Sequence, residues 1–314
     1  MQLTFTCVQS PPQETMKPET LPTEDTWYSL QCRNAALRNL LPCFGSLVVR
    51  TIHASGEWNR VAVCSGFFLE HLGIHFWMTA GHVLDEILNT MKDPNTRIRE
   101  MLLRDGLPIV HEDAASIPFK LEPSQVFSID LDGPAGVDGT GLDFGMVPIE
   151  KETLALLQAN PGVGFVNAED SLDSLQADAW GLYLMGVPGE RAQRASETNL
   201  QYQIHCLAVK VLGECPNGLA RCQRAIYGEL VGDQHIDAQP ESIRGMSGGP
   251  VFAIEPRGGG NWRCRLVGIL SAWHAPSRTV RITPIADVLV SVEHAVITAM
   301  RKRYTQPDAG RSDC

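Results

Sequence analysis

Ile243–Phe252 reads IRGMSGGPVF, a serine set among three glycines that gives way at once to an apolar strand. Such a stretch can be an ordinary turn, and it can equally seat a nucleophile. A serine hydroxyl attacks poorly at neutral pH, so it needs a base to take its proton and donors to hold the oxyanion formed at a carbonyl. Glycines on both sides let backbone N–H groups turn toward that oxygen with no side chain in the way. The N–H groups of Gly245 and Ser247 are the expected donors. A histidine and a carboxylate must then stand elsewhere in the chain, each at the end of a core strand.

Both are present. FWMTAGHVL places His82 directly after an apolar strand, in a small-residue turn leading into a helix-like segment. GTGLDFGMVPI places Asp143 at the mouth of another apolar strand, where a carboxylate can be buried against an imidazole. The nearby Asp130, Asp132 and Asp138 belong to the Gly/Asp-rich DLDGPAGVDGTG, which reads as a turn or a weak cation loop. His82 as a core histidine and Ser247 as a turn residue are the bland alternatives.

The order His82, Asp143, Ser247, together with TAGH, LDFGMVPI and GMSGGPV, resembles the chymotrypsin/trypsin-like serine proteases, in particular their intracellular, bacterial-type members. The resemblance runs from about Phe44 to Arg303. It implies an all-β-dominated fold of two six-stranded β-barrels with the site in the cleft between them, closed by a C-terminal helix. It also implies a serine endopeptidase that works through a His/Asp/Ser triad and an acyl-enzyme. RLVGILSAW matches the strand that lines the family's substrate cleft: Ser271 would bond the buried aspartate, and Ser271–Trp273 would pair with an extended peptide. Glu241 falls at the floor of the primary pocket, where a carboxylate would favour a basic side chain. Trp273 projecting across the mouth would instead admit only small ones.

Two departures matter. Met246 stands where secreted members carry an aspartate that pairs with a newly cut N-terminus, and no cysteine follows His82 where they carry a bridging one. Activation by propeptide cleavage is therefore not expected. The same departures leave room for a pseudoprotease or regulatory peptide-binding module on this fold.

The rest of the chain bounds the reading. A net charge of -10 argues against a nucleic-acid or anionic-membrane surface. The expected partners are a protein or peptide substrate and a possible regulatory protein. No stretch is apolar enough for a membrane span, and the N-terminus lacks the pattern of a secretory signal, so a cytoplasmic location is expected. Nine cysteines without regular spacing read as mostly free thiols. His205, Cys206, Cys215 and Cys222 contain no CxxC pair, so a zinc protein is the weaker reading, and neither metal nor cofactor is expected. Residues 1–43 read as an arm with a short helix, 44–303 as the peptidase domain and 304–314 as a tail. About Leu84 to Arg104 reads as a charged helical insert. PIADVLVSVEHAVITAM reads as an amphipathic helix with Ile285, Val288, Val292 and Val296 on one face.

Overall fold

A computed structural model of the chain describes residues 40–56, 59–105, 116–129, 142–171, 181–189, 193–194, 200–231, 242–257 and 261–305. In the N-terminal half, a 3-10 turn at Leu41–Cys43 leads into β1 (Gly45–His53), β2 (Asn59–Cys64), β3 (Phe67–His71) and β4 (Ile74–Thr79). Helix α1 (Gly81–Lys92) follows, then β5 (Thr96–Asp105), β6 (Ile117–Pro118), β7 (Phe127–Ile129), β8 (Phe144–Pro148), helix α2 (Lys151–Ala159) and β9 (Val166–Asn167). The C-terminal half comprises β10 (Gly181–Gly186), the short pair β11 (Gln193–Arg194) and β12 (Leu200–Gln201), β13 (His205–Leu212), β14 (Ile226–Leu230), β15 (Pro250–Arg257), β16 (Asn261–His274) and β17 (Thr279–Pro284). It ends in helix α3 (Ile285–Thr305).

The fold is mostly β. Strands β10-β13-β14-β17-β16-β15 close into a six-stranded barrel. The N-terminal half forms two sheets, β2-β1-β5-β6 and β7-β8-β4-β3-β9. They join where the chain bends at Ser65 and Gly66 between β2 and β3, and where Phe44 bridges to Phe67. The second closed barrel expected from the resemblance is thus drawn here as two sheets around one apolar interior. Strands β15 and β16 pair antiparallel from Pro250↔Ile269 to Arg257↔Asn261, with one register shift between Val251 and Phe252.

Alternation explains why the strands read as continuous apolar runs. In β4, Trp77 faces the interior of the N-terminal half, while Phe76 and Met78 face a second core between the halves. In β8, Val147 and the pair Phe144 and Met146 divide the same way. In β10, Leu182 and Leu184 fill the closed barrel, while Tyr183 and Met185 join the shared core. A period-two strand with apolar residues on both faces is buried on both, and each fully buried large side chain contributes about 1.5–3 kcal/mol. Helix α3 seals the shared core with the expected face: Ile285, Val288 and Val292 are buried, and Val296 packs beside them.

One expectation is corrected, and one helix was not foreseen. The insert at Leu84–Arg104 is not one helix: α1 stops at Lys92, before Asp93 and Pro94, and residues 96–105 form β5 along β1. A proline disfavours helical backbone at the residue before it, and in β5 Leu103 and Asp105 are buried while Leu102 and Arg104 are less so, the alternation of a half-buried strand. Helix α2, with Thr153 and Leu157 buried one turn apart, was not expected. The arm before Leu40 with most of its short helix, and the tail after Thr305, lie outside the described residues, as do Glu241, Asp130, Asp132 and Asp138.

Candidate active site

His82 is the second residue of α1, three residues past the end of β4 at Thr79. Ala80, at the cap position of this helix, offers no side-chain acceptor, and Asp143 reaches in from the start of β8 to supply one. Its Oδ1 accepts the His82 backbone N–H at 3.1 Å, and its Oδ2 pairs with His82 Nδ1 at 2.8 Å. A carboxylate at a helix N-terminus satisfies an orphan donor and suits the positive end of the dipole. The close approach rests on Gly145: a Cβ there would drive into Leu84 of α1, so only glycine lets β8 lie this near the helix.

Asp143 is held on its backbone too. Its N–H donates to Thr283 Oγ1 at 3.2 Å, and that hydroxyl donates back to the Asp143 carbonyl at 3.1 Å. The side chains differ in access as a base and its orienting group should: 36% of His82 is exposed against 2% of Asp143. With Nδ1–H directed at the carboxylate, the imidazole tautomer is set and Nε2 becomes the basic nitrogen.

The loop Arg244–Gly249 carries Ser247. Gly245 and Gly248 have φ of +92° and +86°, a region open mainly to glycine, and a Cβ on Gly248 would lie 2.6 Å from the Ser65 carbonyl. Met246 is fully buried in the barrel core, with its Cβ 2.8 Å from where a Cβ on Gly186 would stand. The apolar contact occupies the place where a charged side chain would need a buried partner.

Two peptides of this loop are oriented by anchored carbonyls. Gly189 N–H donates to Arg244 O at 2.6 Å, and Gly249 N–H donates to Met246 O at 2.8 Å. In a trans peptide the N–H points opposite to the carbonyl. The Gly245 and Ser247 N–H groups therefore point away from those anchors. Met246 N–H and Gly248 N–H are committed, to Ile243 O at 3.0 Å and Leu270 O at 2.9 Å. Among the described residues, the Gly245 and Ser247 N–H groups have no acceptor, so two adjacent donors are left for a ligand oxygen.

His82, Gly245 and Ser247 line one cleft of about 710 Å³, bounded on its far side by Val49, Arg60 and Cys64 of β1 and β2 and by Glu86 of α1. Burial, with the Glu86 carboxylate adding to it, pushes the Cys64 thiol up to about 12.

The expected bond from Ser271 to Asp143 is not made. Ser271 Oγ accepts from Arg281 Nε at 3.1 Å and donates to Arg281 O at 3.1 Å, while Arg281 Nη2 stands 4.0 Å from Asp143 Oδ2. An arginine thus occupies the space between the serine and the aspartate, and sequence reasoning missed it. Trp273 packs on the apolar cluster of the closed barrel, and its indole N–H is buried with no acceptor among the described residues. Beyond Ile269, which pairs with Pro250, the stretch Ala272–His274 pairs only with β17. Its other edge has no strand partner among the described residues.

No family model matches this chain, and no curated protein does. None of the described helices is long and apolar enough to cross a membrane. Solved structures similar to it include a thermostable serine protease, AL20, from an extremophilic microorganism, at 13% identity and a TM-score of 0.44, covering 78% of this chain and 91% of that one. Protease Anisep from Arthrobacter nicotinovorans is 13% identical with a TM-score of 0.42, over 78% and 90% of the two chains. A Glu endopeptidase in complex with MPD is 11% identical with a TM-score of 0.46, over 81% and 90%. Likeness at this level leaves activity to be judged on the chain's own residues.

Proposed function

We propose that the chain is a serine endopeptidase, with Ser247 as nucleophile, His82 as general base and acid, and Asp143 as the group that orients His82. The observation that carries this is the joint presence, in one cleft, of the His82–Asp143 pair at 2.8 Å, Ser247, and two N–H donors with no acceptor among the described residues. Ser247 Oγ attacks the substrate carbonyl carbon as His82 Nε2 takes its proton. The oxyanion settles on the N–H groups of Gly245 and Ser247. His82 then passes the proton to the leaving amine as the C–N bond breaks, and water releases the acyl group by the reverse proton route. An extended peptide is taken to lie along the open edge of Ala272–His274 as an added strand.

The peptidase unit is proposed to span Phe44–Arg303. A cytoplasmic location fits the reduced thiols of Cys64, Cys215 and Cys222. The test is hydrolysis of an unfolded protein substrate, followed by mass spectrometry of the products. Ser247→Ala should abolish cleavage, on the order of a million-fold in turnover, with the melting curve unchanged. Cleavage by that variant at a comparable rate removes Ser247 from the reaction.

A further inference from the structure

Arg281 lies in β17 between Val280 and Ile282, both of which fill the closed barrel. Alternation turns Arg281 to the opposite face, yet it is only 5% exposed, because that face meets Asp143 and Ser271 instead of solvent. Its guanidinium has three neighbours. Nε donates to Ser271 Oγ at 3.1 Å, Nη1 points at Cys222 Sγ at 3.9 Å, and Nη2 is 4.0 Å from Asp143 Oδ2. The Ser271 hydroxyl spends its own proton on the Arg281 carbonyl, so it presents a lone pair to Nε and fixes the plane of the guanidinium. A buried cation costs several kcal/mol unless an anion faces it, and the carboxylate it faces here is Asp143.

We propose that Arg281 is a positioning residue that acts on His82 through Asp143 and sets the pH at which the base becomes available. The proposal rests on the peptidase reading above. Asp143 Oδ2 bonds the imidazole at 2.8 Å and lies 4.0 Å from the guanidinium, close enough for the buried arginine to act on the carboxylate through its charge. The electrostatic effect has a definite sign. Asp143 favours the protonated imidazole, and the guanidinium offsets part of that negative charge. His82 therefore stays neutral to lower pH than it would beside a lone carboxylate. Other groups around this array are the Cys222 thiol beside Arg281, and Glu86 of α1 and Arg244 of the nucleophile loop, which line the same cleft as His82.

The experiment is an NMR titration of the His82 ring protons in the full chain and in Arg281→Met, Arg281→Lys and Ser271→Ala, each checked for folding by near-UV circular dichroism. Arg281→Met should raise the His82 midpoint by on the order of one pH unit. Arg281→Lys should restore much of the original value, and Ser271→Ala should move it the same way by less. The acid limb of the kcat/KM profile should follow the NMR midpoint while KM stays nearly constant. A folded Arg281→Met protein with an unmoved His82 midpoint overturns the proposal. If that variant does not fold, an unmoved midpoint in a folded Ser271→Ala protein overturns it. Because the titration needs no turnover, it is also read in Ser247→Ala. A chain that never cleaves but shows the shift contradicts the peptidase assignment and leaves the Arg281–Asp143–His82 coupling standing.

Discussion

Ser65 Oγ donates to the Gly245 carbonyl at 2.8 Å and accepts the Val187 N–H at 2.9 Å, so one fully buried hydroxyl from the N-terminal half fastens two loops of the closed barrel. The Ser65 carbonyl is itself tied to Thr79 Oγ1 at 2.8 Å, three residues before His82. His82 and the Gly245–Ser247 loop are thereby referenced to the same short segment. The link spans the two halves without a covalent bridge.

Ser65→Ala leaves the Gly245 carbonyl without this donor and the Val187 N–H without this acceptor. Unsatisfied buried groups cost about 1–3 kcal/mol each, so a urea melt should show a loss in that range or somewhat above it. Loosening the Gly245–Met246 peptide, which lies between the two peptides that carry the donors, should also lower kcat about tenfold or more at nearly constant KM, because the oxyanion donors serve the transition state more than the bound substrate. Unchanged stability and turnover would remove Ser65 from the account.

Asp143 caps α1 as well as orienting His82, and two substitutions separate the roles. Asp143→Asn keeps an oxygen for the His82 backbone N–H but favours the wrong ring tautomer and leaves buried Arg281 without its facing anion, so turnover should fall by roughly 10,000-fold and stability by about 3–5 kcal/mol. Asp143→Ala removes the cap too and should melt lower by a further 1 kcal/mol or so. Thermal melts and initial rates on both variants decide it. Equal stabilities would deny the capping role, and a small rate effect in Asp143→Asn would deny the orienting one.

Cys64 lines the cleft, yet its thiol is pushed up to about 12. At pH 8 it should react with iodoacetamide far more slowly than an unhindered peptide cysteine, whose pKa is near 8.5. The folded state favours the neutral thiol. The stability this gives is therefore fully present below the unfolded-state value and lost as pH rises from about 9 toward 12. Peptide mapping after alkylation across that range measures the first effect, and rapid labelling of Cys64 at pH 8 would contradict it.

The sequence was most legible where residue type and periodicity agree. TAGH, LDFG and GMSGGP each place a functional group at a strand end beside small residues, and Gly145 shows why: it gives Leu84 the room that brings β8, and so Asp143, to the start of α1. The buried face of α3 was legible for the same reason. Arg281 was not, because alternation with Val280 and Ile282 reads as an outward-facing charge, and only the tertiary fold sets Asp143 and Ser271 against that face. Ser65 carries no local signal, since its partners Val187 and Gly245 are remote in the chain. In the stretch 84–104, charge density outweighed the stop at Asp93 and Pro94 and the alternation that follows it.

On the proposed function, the nucleophile site is preformed. Met246 packs in the barrel core, and the carbonyls of Arg244 and Met246 are already anchored, so the oxyanion donors need no new N-terminus to order them. The most direct test is fluorophosphonate labelling of the full-length protein with Met1 intact, with the adduct mapped by mass spectrometry. The account predicts stoichiometric labelling on Ser247 that is absent from Ser247→Ala and greatly slowed in Asp143→Asn. No label on the folded full-length chain, or label that appears only after a new N-terminus is cut, would contradict it.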